Sequence, residues 1–175
     1  MPLTRGGWSL ASPDAKGQLL WKQELFEKTP NAAGQIVFGG AADEHNAYFA
    51  LMSGEMQAIR LQDGKKVWST PWKPEETPDQ MVHLGAGAAV TVIPGVVFSG
   101  GWDGVLRAFS TTDGKLLWQY NTMQDYKTVN GVPAKGGSMG APGPTVANGM
   151  LFVGSGYIGT ASGIPGNVLL AFSPE

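Results

Sequence analysis

Cysteine is absent from the 175 residues, so the chain can form no disulfide, no thiolate metal site, no covalent haem link and no cysteine nucleophile. Histidine is scarce: His45 and His83 stand 38 residues apart without paired ligands beside them, which removes the usual basis of a histidine metal site. Charge is low as well, at 15% of residues with a formal net charge of -2. The basic residues are scattered, and a nucleic-acid surface needs them clustered. No apolar run reaches membrane-spanning length, and the opening MPLTRGGWSL lacks the long apolar segment of an export signal. Amphipathic helical patterns of useful length are missing too, which excludes helical solenoids.

Turn formers are abundant instead. With 26 glycines, 12 prolines and 42% hydrophobic residues, the chain reads as short apolar strands cut by turns, an all-β pattern long enough to bury a core. Three triplets organise it: Ala11, Gly17 and Trp21, then Ala58, Gly64 and Trp68, then Ala108, Gly114 and Trp118. Each is spaced six and four, and the triplets recur at 47 and 50 residues. That period matches the four-stranded blade of a β-propeller.

The third unit resolves into strands at Ala89–Ile93, Val96–Ser99, Val105–Ser110 and Lys115–Tyr120, with Asp113-Gly114 suited to the last tight turn. The second reads Ile36–Gly39, Ala47–Met52, Met56–Leu61 and Lys65–Thr70. Pro144–Ala147, Met150–Val153 and Val168–Phe172 supply three strands of another unit, because LLAFS at its end repeats LRAFS at 106–110. The expected organisation is a single partial propeller domain over 1–175, about three blades in all: blade remnants at 8–27, blades at 33–72 and 87–121, and an incomplete blade at 143–173. Continuing the register places the next glycine and tryptophan at 177 and 181, so the expected chain begins and ends inside a blade. The alanine is expected where blades approach closely, the glycine in the turn, and the tryptophan in the contact between blades.

Two motifs lack their context. Gly136-Gly137-Ser138-Met139-Gly140 fits the G-x-S-x-G of serine hydrolases, but APGPTVANG after it cannot begin the required helix. Gly154 to Gly159 fits G-x-G-x-x-G, but TASGIPGN breaks the helix whose N-terminus would hold a pyrophosphate. The acidic run Glu75–Gln80 reads as a solvated loop, and Asp103 as a turn former before Gly104. Long connectors at 71–87 and 121–143 are the expected site-bearing segments, since loops carry ligands in such folds.

The stretch GKLLWQYNTMQDYKTVNGVPAKGGSMGAPGPTVANGMLFVGSGY, followed by GNVLLAFS, resembles the C-terminal part of quinoprotein dehydrogenases with pyrroloquinoline quinone (PQQ) repeats, most closely their polyvinyl alcohol dehydrogenase-like branch. AAVTVIPGVVFSGGWDGVLRAFS resembles the preceding blade. The resemblance implies a segment of an eight-bladed propeller holding PQQ near its axis with calcium, oxidising an alcohol to a carbonyl and passing electrons to a cytochrome c in the periplasm. It implies cofactor-side roles for Trp102, Asn130, Lys135 and Ser138, while the catalytic base and the metal ligands stay unassigned. The segment alone is expected to be inactive. Departures from the pattern are the missing adjacent cysteine pair, the missing haem-attachment motif, and Gly140 where an aspartate is expected. The competing reading is a non-catalytic repeat propeller that binds proteins as a scaffold. Head-to-tail self-association of copies is a further expectation.

Overall fold

In the computed structural model, the described residues are 9–13, 16–25, 36, 38–72, 85–158 and 163–174. They form no helix, and fifteen strands follow one another in antiparallel sheets. β1 (Ser9–Pro13) and β2 (Leu19–Glu24) make a two-stranded sheet. A four-stranded meander follows, of β3 (Ala41–Ala42), β4 (Asn46–Leu51), β5 (Glu55–Arg60) and β6 (Lys66–Pro71). A second is built of β7 (Thr91–Ile93), β8 (Val96–Gly100), β9 (Val105–Ser110) and β10 (Leu116–Asn121). A small hairpin, β11 (Asp125–Lys127) with β12 (Pro133–Lys135), precedes the three-stranded sheet β13 (Thr145–Ala147), β14 (Met150–Ser155) and β15 (Val168–Phe172). Sheets of this order are those of a β-propeller.

The spacing of the triplet follows from the register. Ala58 lies opposite Tyr48 on one side and Trp68 on the other, and Ala108 lies between Phe98 and Trp118 in the same way. Side chains directly opposite share a face of the sheet, so a small residue in the middle lets two aromatic rings lie over it. Tyr48 and Trp68 accordingly sit 5.9 Å apart, and Ala58 is fully buried.

The glycine closes the turn into the fourth strand. Gly64 and Gly114 both hold φ near +72°, a conformation that costs any other L-residue energy. Asp63 and Asp113 each accept the backbone N–H two residues on, at 3.2 and 3.1 Å, fixing the same turn twice. The tryptophan then docks on the next repeat: a Cβ on Gly64 would lie 2.5 Å from the Trp21 ring, and one on Gly114 2.4 Å from the Trp68 ring. The indole N–H completes each joint, Trp21 donating to the Leu61 carbonyl at 2.7 Å and Trp68 to that of Thr111 at 3.0 Å.

The core therefore lies between sheets. Tyr48, Met56, Ala58 and Trp68 pack against Val90, Val97 and Phe109. Leu25 packs against Phe49, Leu51 and Ile59 from the other side, and Leu106 and Met139 meet Leu151 and Val153. With both faces covered, β5 and β9 are buried along nearly their whole length.

The strand boundaries agree with the sequence reading to within a residue or two, with two differences. Of the strand expected at Ile36–Gly39, Val37 lies outside the described residues, and the described first strand of this sheet is Ala41–Ala42, just after Gly39 at φ +99°. The connector expected at 121–143 folds part of its length into the β11–β12 hairpin. Trp8, the acidic run at 75–80, His83 and Gly159 lie outside the described residues.

Candidate functional site

The connectors between sheets and the turns between second and third strands meet at one end of the sheets. Trp72 N–H donates to the Gly54 carbonyl at 2.8 Å, Trp102 N–H to Gly85 at 3.1 Å, Thr122 N–H to Gly104 at 2.9 Å and Gly156 N–H to Ser138 at 3.0 Å. All four sequence-predicted cofactor residues belong to this end, in two separate groups.

Trp102 and Ser138 come together in the buried group. The Ser138 hydroxyl donates to the Trp102 carbonyl at 2.6 Å and accepts the Ile164 N–H at 2.9 Å. The Trp102 indole is enclosed by three glycines from separate segments: a Cβ on Gly87, Gly140 or Gly163 would approach the ring to 2.9, 3.2 and 2.9 Å. The glycine at 140 thus serves the indole's packing. Trp102 Nε1 is buried and has no hydrogen-bond partner among the described residues. Ser138 is wholly buried and both of its oxygen's bonds go to other segments, Trp102 and Ile164, so the G-x-S-x-G match ties backbones together and exposes no nucleophile.

Asn130 and Lys135 form the exposed group on the hairpin. The Asn130 carboxamide oxygen accepts the Thr128 hydroxyl at 2.6 Å and the Val132 N–H at 3.2 Å, shaping the tip. Asn167 ties the base of the hairpin down, its side-chain oxygen accepting the Lys135 N–H at 2.8 Å and its own N–H donating to the Lys135 carbonyl at 2.9 Å. Lys135 itself is exposed. Behind the hairpin, the hydroxyls of Thr122 and Ser155 lie 2.7 Å apart in a buried network that also holds Gly137 N–H at 2.9 Å from the Ser155 oxygen.

Sequence reasoning missed the strongest electrostatic feature of this end. Asp103, read as a turn former, does accept the Val105 N–H at 3.1 Å, but its carboxylate also holds Arg107 in two bonds of 2.6 and 3.1 Å. Both residues are buried, and the Arg107 guanidinium lies 5.2 Å from the centre of the Trp72 ring. The signal was available: a lone arginine inside the apolar strand VLRAFS, four residues after an aspartate.

For a divalent cation the fit fails among the described residues, which include no group of three or more His, Cys, Asp or Glu side chains able to ligate one. For an anionic quinone the donor chemistry fits in part, through the exposed Lys135 ammonium, while the Trp102 indole N–H is enclosed in the separate buried group.

A propeller with tryptophan joints between its sheets, bearing glycine-rich connectors at one end, is the architecture of the PQQ-repeat class. The chain belongs to the PQQ-repeat family described as outer membrane protein assembly factor BamB, which matches residues 4–122 and 52–174. It is 41% identical to a polyvinylalcohol dehydrogenase of a Pseudomonas species over 93% of its own length, and spans 28% of that relative. In fold it is similar to the quinohemoprotein alcohol dehydrogenase of Comamonas testosteroni, with TM-score 0.60 and 16% identity over 85% of this chain and 26% of that one. It is also similar to BamB of Moraxella catarrhalis, with TM-score 0.59 and 21% identity over 87% and 38% of the two chains. Among the described residues no helix is long and apolar enough to cross a membrane.

Proposed function

We propose that the chain is a propeller segment of a PQQ-dependent alcohol dehydrogenase acting on polyvinyl alcohol or a similar secondary alcohol in the periplasm, with a cytochrome c as electron acceptor. The observation that carries this reading is the 41% identity to a polyvinylalcohol dehydrogenase across 93% of the chain. When bound, the quinone supplies the oxidant for the alcohol. On this reading Lys135 and Asn130 present the charged and amide groups that face the cofactor, and Trp102 and Ser138 hold the loop behind them. Calcium and the catalytic base are supplied by residues other than those described, and the segment alone does not turn over an alcohol.

Titration calorimetry of the chain with PQQ and calcium tests this, with Lys135→Ala and Asn130→Ala beside it. Saturable binding that weakens in both variants supports a cofactor surface on this segment. Binding that is equal in all three removes these residues from it.

The family match to BamB favours a second reading, a non-catalytic scaffold that binds proteins through the same end of the sheets. Absence of any quinone binding, together with capture of a partner protein lost on altering the hairpin tip, selects it. Head-to-tail association of copies accompanies either reading, and light scattering that finds only monomer at high concentration removes it.

A further inference from the structure

Three buried polar groups at the Asp103–Arg107 pair have no hydrogen-bond partner among the described residues: Trp72 Nε1, Ser99 Oγ and Arg107 Nε. Their neighbourhood is fixed by the fold. Ser99 lies directly opposite Arg107 in the β8–β9 ladder, which puts both side chains on one face of the sheet. Trp72 reaches the same face from the preceding sheet, its ring 5.2 Å from the guanidinium carbon and 5.6 Å from the ring of Phe109, two residues along the strand.

Two of the three groups are obligate donors, and the third is a hydroxyl that can donate or accept. Each would cost about 1–3 kcal/mol if left unsatisfied in the interior. A ligand that resolves all three must accept two hydrogen bonds and either donate to the hydroxyl or accept from it. It must also be neutral, because Asp103 already balances the arginine charge through two bonds. We infer that this face binds a single buried water, held by Trp72 Nε1, Ser99 Oγ and Arg107 Nε, as an integral part of the joint between the two sheets. A water offers the required two lone pairs and a proton, and buried waters with about three partners are a regular component of protein interiors.

The internal repeat supports a joint here. Gln57 stands 50 residues before Arg107, and its side chain likewise crosses to the preceding sheet, donating to the Leu25 carbonyl at 2.8 Å; Leu25 stands 47 residues before Trp72. The amide reaches its partner directly. The guanidinium, committed to Asp103, reaches across through the indole face and the water.

A crystal structure of the full chain at about 1.5 Å, with a bromide-soaked crystal beside it, tests the inference together with urea unfolding of Trp72→Phe. The expected result is one density peak within roughly 2.7–3.2 Å of all three atoms, without bromide signal. Trp72→Phe, which keeps one aromatic ring against Arg107 and Phe109 and removes the donor, then weakens the folding equilibrium by at least about threefold to tenfold, the worth of one hydrogen bond. A bromide peak at this position would overturn the water in favour of an anion site. Empty density with a Trp72→Phe variant as stable as the parent, or more so, would overturn it in favour of plainly orphaned donors.

Discussion

Gly95 and Gly114 form a matched pair for measuring what one tryptophan joint contributes. Both hold positive φ, +85° and +72°, so alanine at either position incurs a similar backbone penalty of about 1 kcal/mol. Their surroundings differ. A Cβ at Gly95 meets nothing within 4 Å, whereas one at Gly114 comes to 2.4 Å from Trp68 Cε3 and 2.6 Å from Thr70 Oγ1. Real side chains do not tolerate such distances, so the Trp68 ring must move. Overpacking of this kind costs about 1–3 kcal/mol, and displacement of the indole adds the loss of its 3.0 Å bond to the Thr111 carbonyl, about 1 kcal/mol more. Gly95→Ala should therefore cost about 1 kcal/mol and Gly114→Ala about 3–5 kcal/mol. Urea unfolding followed by far-ultraviolet circular dichroism reads the difference directly. Equal losses in the two variants would refute the idea that the glycine is there to receive the indole.

Arg107→Met leaves Asp103 buried without its cation and should cost about 3–5 kcal/mol, while adding Asp103→Asn should recover part of that loss; a double variant no better than the single one contradicts the pairing argument. Trp68→Phe keeps a ring over Gly114 but loses the N–H donor, and thermal denaturation should show a loss of about 1–2 kcal/mol, smaller than that of Trp68→Ala. Burial, followed by its hydrogen bond to Asp43, pushes the Tyr48 hydroxyl up to about 12. Its folded value lies above the ordinary 10, so its contribution is complete below about pH 10 and is lost as pH rises toward 12; base titration of Tyr48→Phe should lack that part of the decline. For Asp43, burial alone would raise the carboxyl, but the Tyr48 hydroxyl and the His45 and Asn46 N–H groups outweigh it and hold it below its ordinary value. Its stabilisation is present above the ordinary carboxylate range and fades as pH falls through the lowered value, which acid unfolding of Asp43→Asn should show by a reduced pH dependence.

What could be read before the structure was whatever recurs. The alanine, glycine and tryptophan positions repeat because both four-stranded sheets need the same small residue between two rings and the same turn; in the β1–β2 sheet Ala11 lies opposite Lys22 instead. Features that occur once were hidden. The β11–β12 hairpin does carry an Asn130-Gly131 turn signal, with Gly131 at φ +73°, but it depends on Asn167, more than thirty residues away, to hold its base. Trp102 and Ser138 were expected on the cofactor side with Asn130 and Lys135, but their contact with each other was not, and the indole is enclosed by glycines at 87, 140 and 163 whose proximity no local pattern encodes. Asp103 was read correctly as a turn former but incompletely, since its bond to Arg107 arises from a strand side chain folding back over the turn.

Each tryptophan joint links a residue to one 40 or 43 positions later, always in the same direction along the chain. The repeat around Gly64 and Trp68 thus carries both the socket for its predecessor and the plug for its successor, while Trp118 stays exposed at the edge of Phe172. Such an array behaves thermodynamically as a one-dimensional chain of nearest neighbours, in which damage to one joint destabilises two repeats and leaves the others intact. It also makes the repeat self-propagating in evolution: duplicating any stretch of one period, wherever the breakpoints fall, reproduces both halves of the joint in register.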